Sequence, residues 1–114
     1  MATPSTLRAR DLKARLEAGE PLQLVDVRES MELELAALRE PVIHLPLSRS
    51  EEWIERIGTL LDRDRDVVVL CHAGIRSWQF ACWLMEAQGY EQVWNLQGGI
   101  DAWSVSVDPS VPRY

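Results

Sequence analysis

The run Val67-Val68-Val69-Leu70 carries no polar residue on either side of an extended chain. A β-strand points successive side chains to opposite faces, so a run that is apolar throughout has to be covered on both. Leu22-Gln23-Leu24-Val25-Asp26-Val27 repeats the condition almost throughout. A parallel sheet with helices on both faces meets that demand, and the remaining pattern supplies the helices. Leu7 to Ala18 reads as an amphipathic helix with a short strand at its start and Gly19 as its stop. Glu29 to Ala37 has helical composition and ends before Pro41. Val42 to Leu45 reads as a brief strand closed by Pro46. Ser48 or Ser50 can then cap a helix from about Glu51 to Leu61.

Asp62 to Asp66 alternates charges as a solvated turn. A helix over Trp78 to Gln88 follows the Val67–Leu70 strand and stops at Gly89. Val93 to Leu96 gives one more strand, and Gly98-Gly99 turns into a short helix around Ile100 to Trp103. The tail, with Pro109 and Pro112, is expected to be extended. Sites in such sheets form at the carboxyl ends of strands. Three strand ends carry polar or glycine-rich residues: Asp26-Val27-Arg28, Cys71 to Ser77, and Gln97-Gly98-Gly99. They are expected to converge at one rim.

A chain of 114 residues with a net charge of −6 fits one domain, residues 1–114, with a core over about 7–104 and a tail over about 105–114. The acidic balance argues against nucleic-acid and anionic-membrane partners. No apolar run approaches the roughly 20 residues of a membrane span. Met1-Ala2-Thr3-Pro4-Ser5 lacks the features of a secretory signal, which makes the cytoplasm the default address. Cys71 and Cys82 are too few for a disulfide scaffold and match no zinc spacing.

The segment Cys71-His72-Ala73-Gly74-Ile75-Arg76-Ser77 carries the chemistry. A strand delivers a thiol to a tight turn whose amides run into a helix start, an arrangement suited to a thiolate or a bound anion. An ordinary cysteine is only about 3% thiolate at neutral pH. Loop amides, the helix N-terminus and the Arg76 guanidinium all favour the anion. Gly74 suits a position needing positive φ, and Ser77 can cap the helix or donate to the sulfur. The alternative for Cys71 is a buried structural thiol. Cys82 lies among Phe80, Ala81, Leu84 and Met85 and reads as core.

With Val25-Asp26-Val27-Arg28-Glu29, the Cys71–Ser77 loop and Leu96-Gln97-Gly98-Gly99-Ile100-Asp101-Ala102-Trp103 in this order, the chain resembles a single-domain member of the rhodanese family of sulfurtransferases. The resemblance implies a three-layer αβα fold around a five-stranded, mostly parallel sheet. It also implies that Cys71 is a nucleophile cycling through a persulfide, taking sulfur from a donor such as thiosulfate and passing it to cyanide, a thiol or a protein acceptor. Amides of residues 72 to 77 would hold the sulfur. Arg76 would steady an anionic donor or anchor the loop through a carboxylate such as Asp26, and Asp26 and Arg28 would support the loop. No metal and no organic cofactor is called for.

Four residues separate Cys71 from Arg76, one fewer than in the related dual-specificity phosphatases, which suits a sulfur atom better than phosphate. The segment Leu38 to Pro46 departs from the family's Gly-His-Ile-Pro-Gly pattern, and His44 within it reads as structural. His72 stands where relatives often have a basic residue, either tuning anion entry or simply exposed. Trp53, Trp83 and Trp94 read as packing; Trp78 and Trp103 are candidates for a pocket wall. A phosphatase or arsenate reductase using Cys71, and a non-catalytic protein-binding module, remain as alternatives.

Overall fold

The computed structural model describes residues 2–114. Among them, five strands pair in one sheet: β1 (Ser5–Leu7), β2 (Gln23–Asp26), β3 (Ile43–His44), β4 (Val67–Leu70) and β5 (Val93–Leu96). Their order is β1-β5-β4-β2-β3, and every pair is parallel. The connections carry α1 (Ala9–Glu17), α2 (Ser30–Leu35), α3 (Ile57–Leu60) and α4 (Ile75–Glu86), and α5 (Gly99–Ser106) follows β5.

All four residues of β4 are fully buried, as an apolar run flanked by β2 and β5 requires. Val67 and Val69 face one core with Trp53, Ile57, Phe80, Leu84 and Tyr90, and Cys71 continues that side. Val68 and Leu70 face the other core, with Leu7, Leu12, Ile100 and Trp103. Each fully buried Val or Leu contributes about 1.5–3 kcal/mol of transfer free energy, so this short strand holds both layers to the sheet. No helix among the described residues is long and apolar enough to cross a membrane.

Three segments differ from the sequence expectation. The helix expected over about 51–61 is broken into 3-10 turns at Leu47–Glu52 and Ile54–Arg56 before α3. Trp53 sits at the break, buried, with its indole N–H donating to the Pro46 carbonyl at 3.0 Å. Burying that ring turns the chain off the helical path. Neither serine caps this region, and the Ser48 hydroxyl bonds the Glu29 carboxylate instead. Helix α4 starts at Ile75, inside the cysteine loop, because Gly74 turns the chain directly from strand to helix at φ 105°. Finally, α5 continues to Ser106, and the tail turns through Asp108 to Val111, whose N–H bonds the Asp108 carbonyl at 3.1 Å.

Gln23 is a buried polar side chain at the amino end of β2, remote from the cysteine loop at the carboxyl end of β4. Its Nε2 donates to the Asp62 carbonyl at 2.8 Å, and its Oε1 accepts from the Asp62 N–H at 2.7 Å. The Asp62–Asp66 turn is therefore fastened to the start of β2 rather than merely solvated. Gln23→Leu removes both of these bonds, each worth about 0.5–1.5 kcal/mol, and is expected to lower stability by about 1–3 kcal/mol, read as a lower urea midpoint at unchanged slope.

Candidate active site

Strands β5, β4 and β2 are neighbours, so their carboxyl ends lie side by side. The three polar strand ends expected from the sequence meet there. Cys71 follows β4 directly and is only 1% exposed. The Gly74 N–H points at its Sγ from 3.1 Å and the Ser77 N–H from 3.4 Å, while the Ser77 hydroxyl lies 3.2 Å away. Of the loop amides expected to surround the sulfur, those of Gly74 and Ser77 reach it. Positive φ at Gly74 is what turns its N–H inward; a side chain there would be strained. The first turn of α4 adds the positive end of a helix dipole to the same place.

The Gly98-Gly99 turn clamps this loop from behind. Ile100 N–H donates to the Cys71 carbonyl at 2.9 Å, and Asp101 N–H donates to the His72 carbonyl at 3.1 Å. These are orphan donors of the first turn of α5, so one helix start supplies the amides that hold the cysteine's own backbone. The approach is close: a Cβ on Gly99 would lie 2.4 Å from both carbonyl oxygens. Only glycine fits.

Arg76 finds its carboxylate on α2. It makes a two-pronged pair with Glu32, Nη1 to Oε1 at 2.6 Å and Nη2 to Oε2 at 2.9 Å. Asp26 does not serve as that anchor, because both of its oxygens are occupied by Arg28. Arg28 is fully buried, yet all five of its side-chain N–H groups have acceptors: Asp26, the Glu32 and Ala36 carbonyls, and the Tyr114 hydroxyl. The Tyr114 hydroxyl donates in turn to Glu32 Oε2 at 2.7 Å. Arg76 is the largest influence holding the Glu32 carboxyl at about 2, well below its ordinary value of 4.5. Burial pushes the Tyr114 hydroxyl up.

His72 is half-buried and stacks on the Tyr114 ring with centroids 4.1 Å apart. Ala73 and Ile75 are exposed on the loop's outer side, and Trp78 is 37% exposed on the first turn of α4. Trp103 does not wall this site. It is buried in the opposite core and lines a surface cleft with Lys13, Glu17, Arg39 and Asp108. His44 Nε2 lies 2.7 Å from the Arg28 carbonyl, a supporting contact. Cys82 is half-buried in mid-helix, its thiol pushed up by burial and by the Glu86 charge.

Three residues at this site were not found in the sequence: Glu32, Asn95 and Tyr114. Glu32 had a signal, since it stands three residues after Glu29 and the two form a reciprocal capping box at the start of α2. Asn95, on β5, donates from Nδ2 to the Gly74 carbonyl at 3.1 Å. Tyr114 had none, because its place depends on the path of the tail.

Comparison with known proteins gives a consistent picture. The family described as "Rhodanese-like domain" matches residues 8–106. A protein of Allochromatium vinosum named "Sulfurtransferase" is 38% identical over 100 residues, covering 84% of each chain. "Rhodanese-like/PpiC domain-containing protein 12, chloroplastic" of Arabidopsis thaliana is 45% identical over 92 residues. That alignment spans 81% of this chain and 30% of the longer plant protein. The crystal structure of a rhodanese-like domain protein from Staphylococcus aureus superposes with a TM-score of 0.75 at 24% identity, covering 96% of this chain and 98% of that one, a likeness of fold.

The Glu32–Arg76 pair makes stability depend on pH. A carboxyl whose folded-state value is depressed stabilises the fold above its unfolded value, and the effect fades as pH falls towards the folded value. Wild type is therefore expected to exceed Glu32→Gln in stability by a constant margin above about pH 5.5. That margin should shrink between 4.5 and about 2. Urea midpoints at a series of pH values measure it; a margin that grows on acidification would contradict the pairing.

Proposed function

This chain belongs to the rhodanese-like domain family, and from that membership we propose that it is a sulfurtransferase whose working atom is Cys71 Sγ. The reading takes the whole chain as one such domain. The observation that supports it best is the set of donors on that sulfur: the Gly74 N–H, the Ser77 N–H and the Ser77 hydroxyl. Such fixed dipoles favour negative charge on sulfur in a place from which water is withdrawn.

With thiosulfate as donor, Cys71 as thiolate attacks the outer sulfur. The S–S bond of thiosulfate breaks and sulfite leaves with the bonding pair. Cys71 then carries one added sulfur as a persulfide. On this reading the remaining loop amides, on His72, Ala73, Ile75 and Arg76, hold that terminal atom. An acceptor nucleophile, cyanide or a thiolate, attacks it, the second S–S bond breaks, and the Cys71 thiolate returns. No electrons are gained or lost overall, so the cycle runs without a redox partner, a metal or an organic cofactor.

The phosphatase alternative fits less well. Arg76 is already engaged through both terminal nitrogens by Glu32 and has less to offer a phosphate dianion. A purely binding role leaves the donors on Cys71 Sγ without a purpose. In the sulfur-transfer reading, Asp26 and Arg28 hold the end of β2 and the start of α2, and thereby the carboxylate that fixes Arg76.

Incubation with thiosulfate is expected to add about 32 Da to the protein, the mass of one sulfur, and peptide mapping to place it on Cys71. Cys71→Ser should abolish both the mass gain and thiocyanate formation from thiosulfate and cyanide, whereas Cys82→Ser should retain them. Equal loss in the two variants, or aryl-phosphate hydrolysis by wild type without sulfur loading, would overturn the reading.

A further inference from the structure

Asn95 sits on β5 next to the cysteine loop and is 6% exposed. Its Nδ2 donates to the Gly74 carbonyl at 3.1 Å, but its buried Oδ1 has no hydrogen-bond partner among the described residues. Turning the amide over does not help, because its oxygen would then face the Gly74 oxygen, acceptor against acceptor. An unpaired buried acceptor costs about 1–3 kcal/mol, more than the single bond on the other side of the amide returns. An apolar side chain of similar size would suit the stability of this position better. The residue is therefore poorly explained as part of the scaffold.

Its contact explains it. Gly74 presents its N–H to Cys71 Sγ at 3.1 Å and its carbonyl to Asn95. Both groups flank one Cα at φ 105° and ψ −2°, the softest pair of torsions in the loop. The glycine also lies close against the end of β5; a Cβ on it would stand 3.3 Å from the Gly98 nitrogen and 3.6 Å from the Leu96 oxygen. The other bond to the Gly74 carbonyl is the weaker one from Trp78 N–H, at 3.3 Å, which α4 makes for itself. We propose that Asn95 is a positioning residue for Cys71: by fixing the Gly74 carbonyl from the neighbouring strand, it keeps the Gly74 N–H aimed at the sulfur.

The charged and titratable groups around the sulfur come from other elements. They are Arg76 with Glu32 of α2, and His72 with Tyr114 of the tail and Asp101 of α5. Replacing Asn95 with Leu or Ala changes none of them and introduces no charge. Any change in the behaviour of the thiol would then come from the loop's aim.

The inference deepens the sulfur-transfer reading, and it can be tested apart from it. The rate of Cys71 alkylation by iodoacetamide is followed against pH in wild type, Asn95→Leu, Asn95→Ala and Gln23→Leu, with each site identified by peptide mapping. Loss of one hydrogen bond to the anion, about 1 kcal/mol, corresponds to roughly fivefold less reactive anion at neutral pH. Both Asn95 variants are expected to show that loss as a profile displaced to higher pH, together with a changed Gly74 amide proton shift in NMR. Gln23→Leu, destabilised at the opposite end of the strands, should keep the wild-type profile. Asn95→Ala cannot clash and serves if the leucine variant does not fold.

Wild-type profiles in the Asn95 variants would overturn the positioning role, as would an equal displacement in Gln23→Leu. A displaced profile in a protein that never takes sulfur from thiosulfate would remove the proposed function and leave the positioning role standing.

Discussion

A sulfur atom withdrawn from water has to find its hydrogen bonds inside the protein. Cys71 finds them in the two residues that bracket the start of α4, Gly74 and Ser77. Everything else at the rim serves that geometry. Strand β4 must end where it does, so that the thiol emerges at the edge of the sheet. Gly74 must take a left-handed turn, so that a helix can start within three residues. The first turn of α5 must hold the carbonyls of Cys71 and His72, so that the backbone carrying the thiol does not drift. Each support comes from a different part of the chain, and the parallel order of β5, β4 and β2 brings them to one place.

A second layer of order is ionic. Asp26, Arg28, Tyr114, Glu32 and Arg76 form a continuous relay from the end of β2 to the cysteine loop. Removing a buried pair such as Asp26–Arg28 from water is expensive, and it stabilises a fold only when the remaining donors are satisfied. Here every guanidinium N–H of Arg28 is used, partly by the carbonyls at Glu32 and Ala36. The pair thus joins the strand to α2 and presents the Glu32 carboxylate to Arg76. Arg76 is consequently fastened to α2 through both oxygens of Glu32.

Much of this could be read along the chain. Val67 to Leu70 and Val93 to Leu96 match the observed strands residue for residue. The convergence of three strand ends followed from parallel topology alone. The break at Trp53 was not legible: helical composition over about 51–61 was overruled by one large ring that packs better facing Phe80 and Trp83. Trp103 is a candidate pocket wall by sequence, yet it belongs to the other core, since the face a residue occupies on α5 is set by how that helix docks rather than by its neighbours in sequence.

What the sequence determined by itself is whatever depends on neighbours along the chain: strands buried on both sides, a thiol at a strand end, glycines where the backbone must turn or be approached. What only the tertiary structure decided is who reaches the loop from afar. Glu32 rather than Asp26 holds Arg76, Asn95 meets the Gly74 carbonyl across the sheet, and the tail brings Tyr114 onto His72. Those pairings join residues up to 44 positions apart through side chains of only a few ångströms' reach. Their geometry is fixed by packing, which a linear pattern does not encode.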